Sequence, residues 1–196
     1  MSVFDIIGSF FEMGGFVMWP LAIIAVILWY ALVDRAITIT RSKYTPRELV
    51  AKARLGKLQP RNPAELSAIR AVHLAERARS RSELKSLLDE HLLDMRVRLG
   101  EHRVLIRSLV AIAPLLGLLG TVDGMIETFD SLGDMVLFSQ SGGIAGGISK
   151  ALLTTQIGLV VSIPGLLLGK VIDRREQRVL KDVYQIRDLV SMKATA

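Results

Sequence analysis

The sequence predicts an all-α integral membrane protein with three transmembrane helices and long cytoplasmic helical extensions. Three observations carry this expectation. The 196-residue chain is 51% hydrophobic while still 22% charged, and its mean hydropathy is +0.40. Its charges are segregated from three apolar runs, each close to the roughly 20 residues that span a bilayer core. Its basic residues cluster in two segments and are nearly missing elsewhere.

The first run, residues 13–33, is uncharged between Glu12 and Asp34. No basic residue precedes it and it is longer than the apolar core of a signal peptide. It reads as a retained first span over 13–34, following a periplasmic segment, 1–12. The second run starts at Ser108 and continues past Asp123 to Phe129, giving a span over 108–129. The third includes the uncharged stretch 151–169 and gives a span over 143–169. Of the 25 Lys and Arg residues, 17 lie between Arg35 and Arg107 and 7 from Lys170 onward, which leaves Lys150 alone. Basic loops stay on the cytoplasmic side. Residues 35–107 and the tail 170–196 are therefore expected in the cytoplasm, and the loop 130–142 in the periplasm.

That distribution accounts for the net charge of +6 without nucleic acid. Single-stranded nucleic acid needs aromatic stacking platforms, and the cytoplasmic part offers only Tyr44 and Tyr184. There is no cysteine, hence no disulfide or thiolate site. His73, His91 and His102 stand apart among charged residues; they read as surface groups rather than metal ligands. No cofactor is expected. No GxxxxGK[ST], HExxH or GxSxG motif appears, which argues against an enzyme.

In the cytoplasmic region, Thr45-Pro46-Arg47-Glu48 is a capping box with proline at the first helical position, and Asn62-Pro63-Ala64-Glu65 repeats that pattern. Residues 56–60 read as a break. Ser80-Arg81-Ser82-Glu83 starts a new helix or marks a bend. Leu84, Leu87, Leu88, His91, Leu92, Met95 and Leu99 follow at helical spacing. With only Gly100 as a weak stop, this stripe is expected to run into the second span as one helix from Glu83 to Phe129. The stripe suits either a solubilising helical hairpin or a surface for neighbouring subunits.

On a helical wheel, Gly147, Ala151, Thr154, Gly158, Ser162, Gly165 and Gly169 share one face of the third span, with Thr155 beside it. Ala113, Gly117, Gly120, Thr121, Gly124 and Thr128 share a face of the second. Lipid does not reward such faces, but close helix packing does. Asp123, Glu127 and Asp130 form an acidic stripe beside the second face. Ionisable groups at membrane depth are costly and default to pathway or pairing roles.

"IAPLLGLLGTVDGMIETF" (112–129) followed by "GGIAGGISKALLTTQIGLVVSIPGLLLG" (142–169) resembles the MotA/TolQ/ExbB proton-channel family, with ExbB-like biopolymer transport proteins the closer comparison. The resemblance implies an inner-membrane homopentamer around single-span partners of the ExbD/TolR type. It implies proton flow that drives a TonB-like protein spanning the periplasm. It maps the family's two pore threonines onto Thr121 and Thr155, with Thr154 and Asp123 expected along the same proton pathway. A TolQ-like subunit of a Tol-type motor, or a non-conducting helical scaffold, are the other readings. A scaffold would need small residues at 121 and 155, but not hydroxyls. Two positions depart from the family: Lys150 replaces the usual glutamate before "ALL", and Asp123 follows "GTV". If Thr121 and Thr155 share a depth, Asp123, Lys150 and Glu127 lie about 3, 7.5 and 9 Å outward of it. Lys150 is thus expected to pair with Glu127 or Asp123; the alternative is a lysine that snorkels to the outer surface.

Overall fold

The structure, a computed structural model, describes residues 14–40, 42–134 and 142–193. The expected periplasmic N-terminus and most of the loop 130–142 lie outside the described residues. The elements are all helical: α1 (Met18–Thr38), α2 (Pro46–Arg54), α3 (Pro63–Arg77), α4 (Arg81–Leu99), α5 (Arg103–Asp134) and α6 (Gly142–Lys193). Among the described residues, three helical stretches are long and apolar enough to cross a membrane: Met18–Thr38, Arg81–Leu132 (α4 and α5 counted together) and Ile144–Met192. The chain divides into two compact units. One comprises the described part of Met1–Leu32 with Val104–Gly169; the other comprises Val33–Arg103 with the described part of Lys170–Ala196.

The second unit is built from strong local signals. Thr45 caps α2 with both halves of a capping box in place, Thr45 Oγ1 accepting from the Glu48 N–H and Glu48 reaching back to the Thr45 N–H. Gly56, at φ +66°, ends that turn where a residue with a Cβ would be strained. The second expected box differs. Asn62 makes no side-chain cap bond. Glu65 instead accepts from the Arg61 N–H at 3.0 Å, the Asn62 Nδ2 at 3.1 Å and the Ser42 hydroxyl at 2.9 Å. Burial alone would raise the Glu65 carboxyl; these donors outweigh it and hold it below its ordinary value. Ser80 starts α4 as its N-cap, accepting from the Ser82 N–H.

The apolar faces of these helices close on one core: Leu49 and Val50 from α2, Ala64, Ala68, Ala71 and Val72 from α3, Leu84 and Leu88 from α4, and Ile186 and Val190 from α6. Full burial of each larger side chain contributes about 1.5–3 kcal/mol. The leucine stripe of α4 is thus largely satisfied inside its own chain, with Leu84, Leu88, Leu92, Met95 and Leu99 all buried. His91 belongs to that stripe. The expectation of a surface histidine fails for it: His91 is buried and its Nε2 lies 3.3 Å from Ser67 Oγ. Desolvation, followed by the nearby Arg70, pushes its pKa down.

The expected unbroken helix from Glu83 to Phe129 is two helices. Gly100 folds its N–H back onto the Arg96 and Val97 carbonyls, and His102 takes φ +60°. A right-handed helix cannot pass through a residue in that region, so α5 restarts at Arg103.

In the first unit, α1 turns Met18, Leu21, Leu28, Ala31 and Leu32 inward, and Val17 just before it is buried with them. Its opposite side leaves Trp19, Ile23, Val26 and Tyr30 exposed on the single chain. Lipid or neighbouring protein must cover a surface of that kind. Pro114 and Pro164 sit inside α5 and α6, a placement that membrane helices accommodate.

Candidate functional site

The site grows out of the close approach of α5 and α6. Their two glycine-rich faces meet along a ladder of backbone contacts. A Cβ added at Gly117 would lie 3.1 Å from the Thr154 carbonyl; at Gly158, 2.8 Å from the Ala113 carbonyl; at Gly124, 2.6 Å from the Gly147 carbonyl and 2.8 Å from the Ala151 N. Gly120 faces Thr154, and Gly147 faces Gly124 and Thr128. Gly165 packs instead against Leu28 of α1 and Val110 of α5, and Gly169 has Ile106 at 3.5 Å. Every glycine expected to serve packing therefore lies at a helix contact, and at Gly117, Gly124, Gly147 and Gly158 a side chain would meet the facing backbone.

Hydroxyls line this seam, and each finds a carbonyl. Thr128 donates to Gly124 O at 2.8 Å and Ser162 to Leu159 O at 3.3 Å. Thr121 donates to Leu118 O at 2.6 Å, while Thr155 reaches Gly117 O across the helix pair and Ala151 O on its own helix, both at 3.3 Å. The two threonine hydroxyls thus end at adjacent carbonyls of α5. Both residues are half-buried. A hydroxyl that donates to a backbone carbonyl keeps its lone pairs as acceptors. At these two positions it can receive a proton-bearing group from outside the pair.

Thr154, also expected on the proton pathway, is fully buried between α5 and α6, where its hydroxyl lies 3.0 Å from Ala151 O and 3.2 Å from Lys150 O. The wheel put it at the centre of the packed face, and that is its place.

One turn N-terminal of Thr154, Lys150 brings two acids together. Its Nζ lies 2.8 Å from Glu127 Oε2 and 2.9 Å from Asp123 Oδ2. The lysine side chain is 18% exposed, against 45% for Asp123 and 56% for Glu127. Gly15 closes over it: at φ +65°, a Cβ there would come within 2.7 Å of the Lys150 Nζ. Asp130, one turn beyond Glu127, is exposed and lies outside this cluster.

A second charged cluster, in the other unit, was not singled out from the sequence. Arg35 is 3% exposed; its Nη1 donates to Asp173 Oδ1 at 2.8 Å and its Nη2 to Glu176. Arg103 closes the set at 3.5 Å from Asp173 and 3.8 Å from Glu176. Two cations and two carboxylates balance. The available signal was Asp173 and Glu176 at i,i+3 just past the third apolar run, with Arg35 just past the first.

Comparison with known proteins agrees with this geometry. The model of the MotA/TolQ/ExbB proton channel family matches residues 58–185. The chain belongs to the MotA/TolQ/ExbB proton channel family. It is 39% identical over 74 residues to an ExbB-like biopolymer transport protein of Synechocystis sp., covering 37% of this chain and 35% of that one. It is 35% identical over 78 residues to the biopolymer transport protein ExbB of Aquifex aeolicus, covering 40% and 52%. The biopolymer transport protein exbB1 of Vibrio cholerae aligns over 192 residues at 25% identity, covering 91% and 84%. The alignments thus span about a third of the Synechocystis relative and most of the Vibrio one. Membership of the family, with three helices long and apolar enough to span a bilayer among the described residues, makes this a multi-pass membrane protein of a proton channel family.

Proposed function

We propose that this chain is the inner-membrane channel subunit of an ExbB-ExbD-type motor. In this reading it forms a homopentamer around single-span ExbD/TolR-like partners and turns proton-motive force into work on a TonB-like protein. The N-terminus faces the periplasm and the C-terminus the cytoplasm, as the basic residues argue. The observation that carries the reading is the pair of hydroxyls at Thr121 and Thr155. They end at adjacent carbonyls and keep acceptor capacity toward the open side of the helix pair. A partner's membrane carboxyl, or water, could exchange a proton there. A non-conducting scaffold would use the same glycine ladder but has no need of these hydroxyls. The ExbB-like relatives favour coupling of the TonB type over the Tol type.

The test replaces Thr121 and Thr155 by valine, which keeps shape and removes the hydroxyl. Assembly is expected to be normal and gradient-driven transport in cells to be lost. Full transport by the double valine variant would overturn the pathway.

A further inference from the structure

Gln156 is a polar group that neither the glycine ladder nor the channel reading uses. It sits inside the third apolar run, between Ala151 and Gly169, and it is exposed. Its amide makes no hydrogen bond among the described residues. A side-chain amide carries two N–H donors and an acceptor oxygen, and hydrocarbon satisfies none of them.

The helical rotation gives its direction. At about 100° per residue, Gln156 lies about 160° from the centre of the small face that meets α5. Thr155 and Thr121 open on one side of the helix pair. Lys150 is rotated about 140° from Thr155, and Asp123 about 160° from Thr121, so their ion pair, with Gly15 over it, takes the other side. Gln156 is left at the outer edge of the pair, on the far side of α6 from α5. It belongs to a stripe of Ser149, Leu152, Gln156, Leu159, Ile163 and Leu166, which recur at alternating three- and four-residue spacing and are all exposed. The opposite edge, on α5, carries Leu115, Leu118, Val122, Met125 and Phe129 at the same spacing, also exposed. Such alternation is the seam of left-handed helix packing.

We propose that the Gln156 stripe is the contact between neighbouring copies of this chain. It packs on the α5 stripe of the next copy, where a helix carbonyl with a spare lone pair accepts from the amide. When identical copies stand in a ring with their threonine sides inward, each α6 edge meets an α5 edge, and this head-to-tail contact closes the ring. The single-span partner faces the threonine side, and lipid leaves the amide unpaired, whereas glutamine hydrogen-bonds well between membrane helices. The inference rests on the homo-oligomer proposed above, but not on proton conduction.

The chain has no cysteine, so introduced cysteines report the contact without background. Gly117 meets Thr155 and Gly158 on the ladder, which sets Gln156 nearly level with Leu118. Within one chain these two positions lie on opposite edges of the helix pair, beyond the roughly 7 Å between Cα atoms that a disulfide tolerates. The full chain carrying L118C/Q156C is oxidised in membranes that also hold a single-span ExbD/TolR-like protein. A ladder of covalent oligomers is expected from it, and none from L118C or Q156C alone. Gln156→Leu keeps the bulk and removes the amide, so its oligomer should dissociate about three- to thirtyfold more readily on dilution in detergent. No ladder from the double variant would overturn the proposal, as would unchanged dissociation of Gln156→Leu. Dimers from Q156C alone would mean that α6 meets α6 and would also overturn it. Capture of Q156C by a single cysteine on the single-span helix, in place of a second copy, would assign this face to that protein and overturn the proposal. None of these readouts senses ion flux: a chain that forms the ladder but conducts no protons loses the channel reading and keeps this contact.

Discussion

Lys150→Met tests whether the charge cluster at the end of the glycine ladder holds the helix pair together. Lys150 Nζ bridges Glu127 at 2.8 Å and Asp123 at 2.9 Å. Removing it leaves two carboxylates at i,i+4 on α5 with no cation between them. Stranding a charge in a buried pair costs about 3–5 kcal/mol, whereas breaking an exposed pair costs under about 1 kcal/mol. Lys150 is mostly buried while its partners are about half exposed, so the expected loss is about 2 kcal/mol. For a chain of this size that lowers the melting temperature by about 4–8 °C. Scanning fluorimetry of the detergent-solubilised protein measures it through Trp19 and Trp29. Adding Glu127→Gln to Lys150→Met should restore about half of the loss, because one of the repelling acids is gone. Lys150→Glu, which installs the residue usual in the family, sets three acids together and should cost more than methionine. A Lys150→Met protein melting within about 1 °C of the parent would refute this reasoning.

Further outcomes are expected elsewhere in the chain. Gly124→Ala drives a Cβ to 2.6 Å from the Gly147 carbonyl and should cost about 1–3 kcal/mol. Gly146→Ala, with nothing within 4 Å of its added Cβ, should be neutral or gain about 0.5–1 kcal/mol; equal melting temperatures for the two would contradict the ladder. Arg35→Met removes the buried cation that bridges Asp173 and Glu176 and should cost about 3–5 kcal/mol, well above the cost of removing the part-exposed Arg103; chemical denaturation of both variants orders them. Burial lowers the His91 pKa, so the unfolded chain binds the proton more readily than the folded one. Stability is then unaffected above the ordinary value of about 6.5 and falls as pH drops below it. Melting curves between pH 7.5 and 5 should show that fall, and His91→Gln should flatten it.

Much of this was legible in the sequence because it depends on local periodicity. Uncharged runs mark the apolar helices, and the 100° wheel places the small residues of α5 and α6 on faces that meet. The Lys150 contacts follow from residue counting along two antiparallel helices once the family resemblance sets Thr121 and Thr155 at one depth. Features set by distant parts of the chain were harder to read. Arg35 and its acids are 138 and 141 positions apart, and each resembles an ordinary charge flanking a membrane span. His91 lies in a leucine stripe, but its depth depends on α3 supplying Ser67. The break before α5 comes from His102 entering the left-handed region, a conformation that histidine adopts only in context. Thr154 and Thr155 are neighbours of the same type. The helical rotation of 100° between them leaves one wholly enclosed and the other half open.

Proton flux through reconstituted protein tests the central claim most directly. Liposomes carrying this chain together with a single-span ExbD/TolR-like protein of the kind proposed as its partner would be given a pH gradient, and a trapped pH-sensitive dye read over time. Flux is expected only when both proteins are present, and is expected to be lost in the Thr121→Val/Thr155→Val double variant assembled to the same extent. Undiminished flux in that variant, or none from the intact pair, would contradict it.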